Sequence, residues 1–159
     1  MNKQTRNIIN VSLTLVAIYL YSFTANNIET EILGFNSFKF LISIAVLIQF
    51  LIFLPSFIFK TEKFYDLTGS LTYISVTSIA YFSLDNPTTT DTILFLYVVI
   101  WAGRLGIFLF RRINKVGKDV RFDKAKKKFF WFLQYWMGQA AWVVSVSYTH
   151  LTLPTRLSV

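Results

Sequence analysis

The sequence predicts an all-α, polytopic membrane bundle of about five transmembrane helices with its N-terminus in the cytoplasm. Three observations carry that prediction. Of the 159 residues, 54% are hydrophobic and only 15% charged, where a soluble domain has about 25% charged residues, and the mean hydropathy is +0.50. The apolar residues come in runs rather than alternating with polar ones, the pattern of segments surrounded by hydrocarbon. Basic residues gather on every second connection between those runs.

The runs fall at 7–24, 38–59, 67–84, 91–110 and 129–146. Each suits a helix crossing a bilayer, which takes about 17–25 residues. Helices are predicted because an unpaired backbone in hydrocarbon is costly, and no ten-residue alternation suggests a barrel. The first run, behind the basic head MNKQTR, reads as a signal anchor rather than a cleaved leader. Its apolar part is long, and Phe23 stands where a cut after Ala25 would want a small residue. Residues 1–146 therefore form one transmembrane domain.

Charge orders the connections. Lys3 and Arg6 head the chain, 25–37 carries Glu29 and Glu31 without a basic residue, and 60–66 holds Lys60 and Lys63 with Glu62 and Asp66. Asp85 follows in the next connection, with Asp91 at the edge of the fourth run. The 111–128 loop sets nine Lys and Arg against Asp119 and Asp123, a net +7 that accounts for most of the chain's +8. Lys/Arg-rich loops stay cytoplasmic, so the connections run out, in, out, in, as expected for the cell's inner membrane. Retention of orientation and contact with anionic lipid headgroups suffice to explain the basic loop. Attraction of an anionic cytosolic ligand is the sharper reading. Nucleic acid is not indicated, because the excess charge is confined to this one loop.

With no cysteine and a single histidine, His150, thiolate chemistry, His-based metal sites and Ser–His–Asp catalysis are excluded. No metal site is expected, and no glycine-rich phosphate loop is present. The polar groups inside the runs are more informative. Arg104 lies six residues from Phe110, about 9 Å deep, with Gln134 at similar depth and Asp66, Thr68 and Ser70 entering from the same side. A charge in a span usually faces the bundle interior and pairs, which makes Asp66 the natural partner of Arg104; snorkelling toward the headgroups is the alternative. Gln49 and Gln139 each need a hydrogen-bond partner. The hydroxyls of 68–78, Gly103, Gly106, Gly138, Ala140 and Ala141 suit close helix packing. Trp131 suits an interface anchor, and Trp136 is too deep for that.

Three segments, EKFYDLTGSLTYIS (62–75), WAGRLGIFLFRRINKVGKDVRFD (101–123) and FFWFLQYWMGQAAWVVS (129–145), together resemble the bacterial UstE-like membrane proteins of unknown function in the steroid 5-alpha-reductase-like superfamily. The resemblance covers about residues 8–146. It implies a bundle of six or seven helices, of which this chain is the N-terminal part. For the full-length protein it also implies reduction of a carbon–carbon double bond conjugated to a carbonyl in a lipid-like substrate, using NADPH from the cytosolic side; these 159 residues alone support no cofactor. Such an oxidoreductase of CH–CH groups needs a hydride donor and a group that polarises the carbonyl oxygen. By resemblance alone, Tyr65 and Asp66 are the catalytic candidates, and Arg104, Lys118, Asp119, Arg121 and Gln139 the cofactor-binding candidates. A late Arg-His-Pro-Asn-Tyr-type segment of the superfamily is not found in these residues.

The last thirteen residues, SYTHLTLPTRLSV (147–159), contain none of the Phe, Ile, Asn and Lys that fill the body. They resemble a translated sequencing adapter. The expectation is a native sequence ending near Val146, a non-native tail, and an inactive truncated chain. A non-catalytic membrane subunit, whose basic cytoplasmic loop binds a partner or anionic lipid, is the competing expectation.

Overall fold

A computed structural model describes residues 2–23, 31–32 and 35–156, with side chains described over 2–23 and 38–146. Glu29 and the side chains of Glu31 and His150 lie outside the described set. Five helices follow one another: α1 (Lys3–Phe23), α2 (Ser37–Ile58), α3 (Tyr65–Phe82), α4 (Thr89–Val116) and α5 (Phe129–Arg156). One 3₁₀ turn (Ala125–Lys127) precedes α5. The only pairing of extended backbone among the described residues is two residues long, Glu31–Ile32 against Phe35–Asn36, and leaves the class all-α.

The helix ends follow local chemistry. Thr88 caps α4 in a reciprocal box with Asp91, satisfying donors that the first turn leaves open. At the other end α4 runs past the predicted 110 and takes Arg111, Arg112 and Lys115 into the helix. Arg and Lys are good helix formers and suit a helix C-terminus, where backbone carbonyls gather negative charge. Gly117, at φ 84°, stops the helix in the left-handed conformation that glycine adopts without a Cβ penalty. The basic loop proper therefore spans only 117–128.

α3 packs against α2, α4 and α5, whereas α1 lies mainly on α5, and α4 touches little besides α3. Close approach has visible causes at two glycines. A Cβ on Gly106 would stand 2.7 Å from Ser70 Oγ, and one on Gly69 would stand 2.8 Å from Gln139 Cδ. Gly103 and Gly138 differ from expectation: nothing lies within 4 Å of the Cβ either would carry.

Polar groups are turned inward and apolar ones outward. Gln49 and Thr72 are fully buried and joined, Gln49 Nε2 donating to Thr72 Oγ1 at 3.2 Å. Ser56, Thr68 and Ser70 are also buried, while Ile58, Phe82 and Tyr97 are each at least 70% exposed. A soluble monomer rarely exposes apolar surface on this scale; in hydrocarbon the arrangement is the favourable one, since hydroxyls and amides find partners only inside the bundle. Of the five predicted spans, two coincide with helices among the described residues that are long and apolar enough to cross a membrane by length and composition, Phe38–Ile58 and Thr89–Val116. The chain is a membrane-type helical protein.

Candidate functional site

The N-terminal turn and two connections meet at one end of the bundle. The first turn of α1 reaches it through Lys3, whose Nζ sits 4.5 Å from the Trp131 ring centre on α5. The α2–α3 connection contributes Glu62, and the basic loop folds down onto both.

Phe122 anchors that loop. It is 1% exposed, with its ring 4.8 Å from Tyr65, 5.0 Å from Tyr135 and 5.9 Å from Phe132, centre to centre. Ala125, fully buried, joins the same apolar cluster. Burying one phenylalanine contributes about 1.5–3 kcal/mol, which offsets the ordering cost of only one or two loop residues, so the loop also needs its polar contacts. Glu62, 6% exposed, provides the polar half of the anchor. Its carboxylate accepts from Lys126 Nζ at 2.8 Å and from the Asp119 backbone N–H at 3.0 Å. Burial alone would raise the pKa of Glu62. The bond to Lys126, then the backbone N–H, outweigh burial and hold it below the usual carboxylate value.

Tyr65 and Asp66 stand at the mouth of α3, ahead of the span predicted at 67–84. The Tyr65 hydroxyl donates to the Tyr135 carbonyl oxygen at 3.0 Å, and its ring meets Trp136 edge to face. Burial pushes the Tyr65 phenol above its ordinary pKa. Burial also raises Asp66, opposed by the charge of Arg121, reinforced by that of Asp119 and opposed again by Arg112. Arg121 itself grips Asp119, with Nε 3.0 Å from Oδ1 and 2.9 Å from Oδ2. That bond holds Asp119 below and Arg121 above its ordinary pKa.

Beside this docked end an open groove of about 470 Å³ runs along α5, lined by Tyr65, Trp131, Gln134, Tyr135, Gln139 and Trp142. Gly138 forms part of its floor, which is what its missing side chain leaves open. The Gln139 amide lies over Gly69, and its Oε1 is buried without a hydrogen-bond partner among the described residues. The groove thus offers aromatic walls and the side chains of Gln134 and Gln139.

Of the residues singled out from sequence, Tyr65, Asp66, Asp119 and Arg121 come together, and Gln139 joins them along the groove. Lys118 is exposed on the loop's outer side. Arg104 overturns an expectation: it is exposed on α4, and the basic groups facing Asp66 are Arg121 and Arg112. The reason is helix phase. Arg104 lies two residues from both Ala102 and Gly106, which are buried against the bundle, so it points about 200° round from them. Sequence reasoning missed Glu62, Phe122, Lys126 and the burial of Trp136 in the cluster around Phe53. The available signal was Phe122 itself, an aromatic residue in a run of charge.

An apolar exterior, buried hydroxyls and amides, and a lateral groove under a charged cap define a helical membrane protein with a ligand-sized cleft open to the side. The family described as "Protein of unknown function (DUF1295)" matches residues 52–156, so the chain belongs to that family, which is the steroid 5-alpha-reductase-like family. No curated protein and no solved structure matches the chain.

Proposed function

We propose that this chain is a multi-pass protein of the bacterial inner membrane, of the UstE-like group, with its N-terminus and basic loop in the cytoplasm, and that it is part of a longer protein that reduces a lipid-like enone with NADPH. The observation that supports this most is the groove along α5, reached from the side and capped by the docked loop through Tyr65. An apolar substrate enters such a groove from the bilayer without crossing water. Joining of the three Lys/Arg-bearing segments at one end supports the orientation, since that end retains the positive charge.

The donor set at this end fits the phosphates of a dinucleotide. Lys118 and Arg112 are exposed, with no ion pair among the described residues; Lys118 would hold phosphate oxygens, and Arg112, whose charge also acts on Asp66, would assist it. Arg121, already gripping Asp119, would position that carboxylate rather than meet phosphate first. A reduced nicotinamide, when bound, supplies hydride. The part of this chain is to bind, orient and exclude water: Phe122 and Ala125 seal the cap, and Tyr65 and Gln139 present polar atoms beside the substrate groove.

The test is NADPH titration of the full-length protein in detergent, followed by nicotinamide fluorescence. Lys118→Ala is expected to weaken binding about fivefold, a single surface charge being worth about 1 kcal/mol. Absence of binding, or equal affinity in the variant, refutes the phosphate assignment. A second reading, a non-catalytic subunit held to anionic lipid, is favoured by Lys124, Lys127 and Lys128, all exposed. It predicts cosedimentation with anionic vesicles together with no nucleotide binding.

A further inference from the structure

We propose that the outer face of α4 is a docking surface for a transmembrane helix carrying a carboxylate opposite Arg104, supplied by a polypeptide other than these 159 residues. The inference rests on the reading that the chain spans a bilayer. Ile93, Tyr97, Ile100, Ile107 and Phe108 are all exposed, at the three- and four-residue spacing that forms one helix face. Arg104 falls in the middle of that stripe and has no ion pair among the described residues.

Its position argues against relief by the headgroups. Seven residues separate it from Arg111, about 10 Å along the axis. The Cα–Cβ bond of a helical residue tilts toward the helix N-terminus, which for α4 is the end away from the basic loop. Arg104 therefore leaves the backbone heading deeper into hydrocarbon, and would have to turn back to reach the interface it is nearest. A charge so placed calls for a partner at its own depth.

The described residues do not carry that partner. The chain's eight acids are Glu29, Glu31, Glu62, Asp66, Asp85, Asp91, Asp119 and Asp123. Glu62 is tied to Lys126 at the docked end, and Asp66 stands at that same end, at the start of α3, where Arg121 and Arg112 are the basic groups that act on it. Asp91 lies on α4 itself, thirteen residues or about 20 Å away, and the others fall in connections. A second copy in the same orientation thus brings an arginine, not an acid, to this depth. Charge complementarity selects a helix bearing Asp or Glu.

The experiment uses the chain reconstituted in neutral phosphatidylcholine vesicles, labelled for energy transfer, with synthetic Leu/Ala transmembrane peptides carrying one Glu or one Gln at the matching depth. The Glu peptide is expected to associate about fivefold or more tightly than the Gln peptide, from the 1–2 kcal/mol range of interhelical polar contacts in model peptides. Arg104→Leu should abolish the difference. Arg104→Glu should transfer the preference to a Lys peptide, which guards against a misfolded Leu variant. Equal association of Glu and Gln peptides overturns the proposal, as does a preference that survives Arg104→Leu. Flotation separates the two readings: a chain that washes off the vesicles at alkaline pH refutes the spanning reading itself, before any peptide is compared.

Discussion

The docked loop around Phe122 and the outer face of α4 around Arg104 hold their charges in opposite ways. The loop is the most charged stretch of the chain, yet Lys126 is tied to the nearly buried Glu62, and an aromatic ring fixes the loop between two helices. The α4 face is among the most apolar, yet its one internal charge stands outward without a partner among the described residues. The difference teaches that local hydropathy does not decide which charge is satisfied. What decides is whether the fold brings an opposite group within reach, and here it brings Glu62 to a loop 64 residues later in sequence.

The largest effect that would break this comparison is expected at Phe122. Phe122→Ala removes a ring packed on three aromatic side chains and leaves a cavity, a change costing about 3–5 kcal/mol in well-packed cores. Hydrogen exchange of the 118–127 amides in detergent should then rise by orders of magnitude, while amides of α2 and α3 keep their protection. If the loop were merely solvated charge, the substitution would change little, within about 0.5 kcal/mol.

Next comes Glu62→Gln, which keeps the shape and deletes the charge. Removing one partner of a fully buried pair costs about 3–5 kcal/mol. Lys126, its side chain one-fifth exposed, recovers some hydration, so about 2 kcal/mol is the expected loss. The same carboxylate gives a pH dependence. Because the folded pKa of Glu62 lies below its ordinary 4.5, its contribution is complete above about that pH and disappears as pH falls through the lower folded value. Loop protection should therefore be flat from pH 7 to about 5 and decline below 4.5 in the parent, with that decline much reduced in Glu62→Gln. Protection already falling between pH 7 and 6 would show another group in control.

The all-helical class was legible in the sequence, because long apolar runs need backbone bonds satisfied within each segment. The need of Gln49 for a partner was legible; that the partner is Thr72 was not, since it depends on how α2 and α3 rotate against one another. Gly106 read correctly as a packing residue, and its spacing from Ala102 already held the phase that turns Arg104 outward. Depth alone was used for Arg104, and depth does not distinguish the two faces of a helix. The docked loop was hidden for another reason: its contacts join Glu62 to residues 57 and 64 positions away, and no periodicity records such a meeting. The groove needed Gly138, a residue that read as packing and is instead a gap.

The smallest expected effect sharpens the comparison most. Arg104→Leu in the chain by itself, without any partner helix, should alter thermal stability in detergent by no more than about 0.5 kcal/mol, because no contact within the described residues is lost. In a bilayer the same change should ease insertion, since a charge within a span costs at least about 2.5 kcal/mol at mid-depth and somewhat less nearer the ends. Lys126→Leu, by contrast, strands the buried Glu62 carboxylate and should destabilise in either medium. A loss of 1 kcal/mol or more from Arg104→Leu in detergent would mean that this chain already holds Arg104 with a group of its own. The two cations would then differ in degree rather than in kind, and the case for an acidic helix on the α4 face would lose its footing.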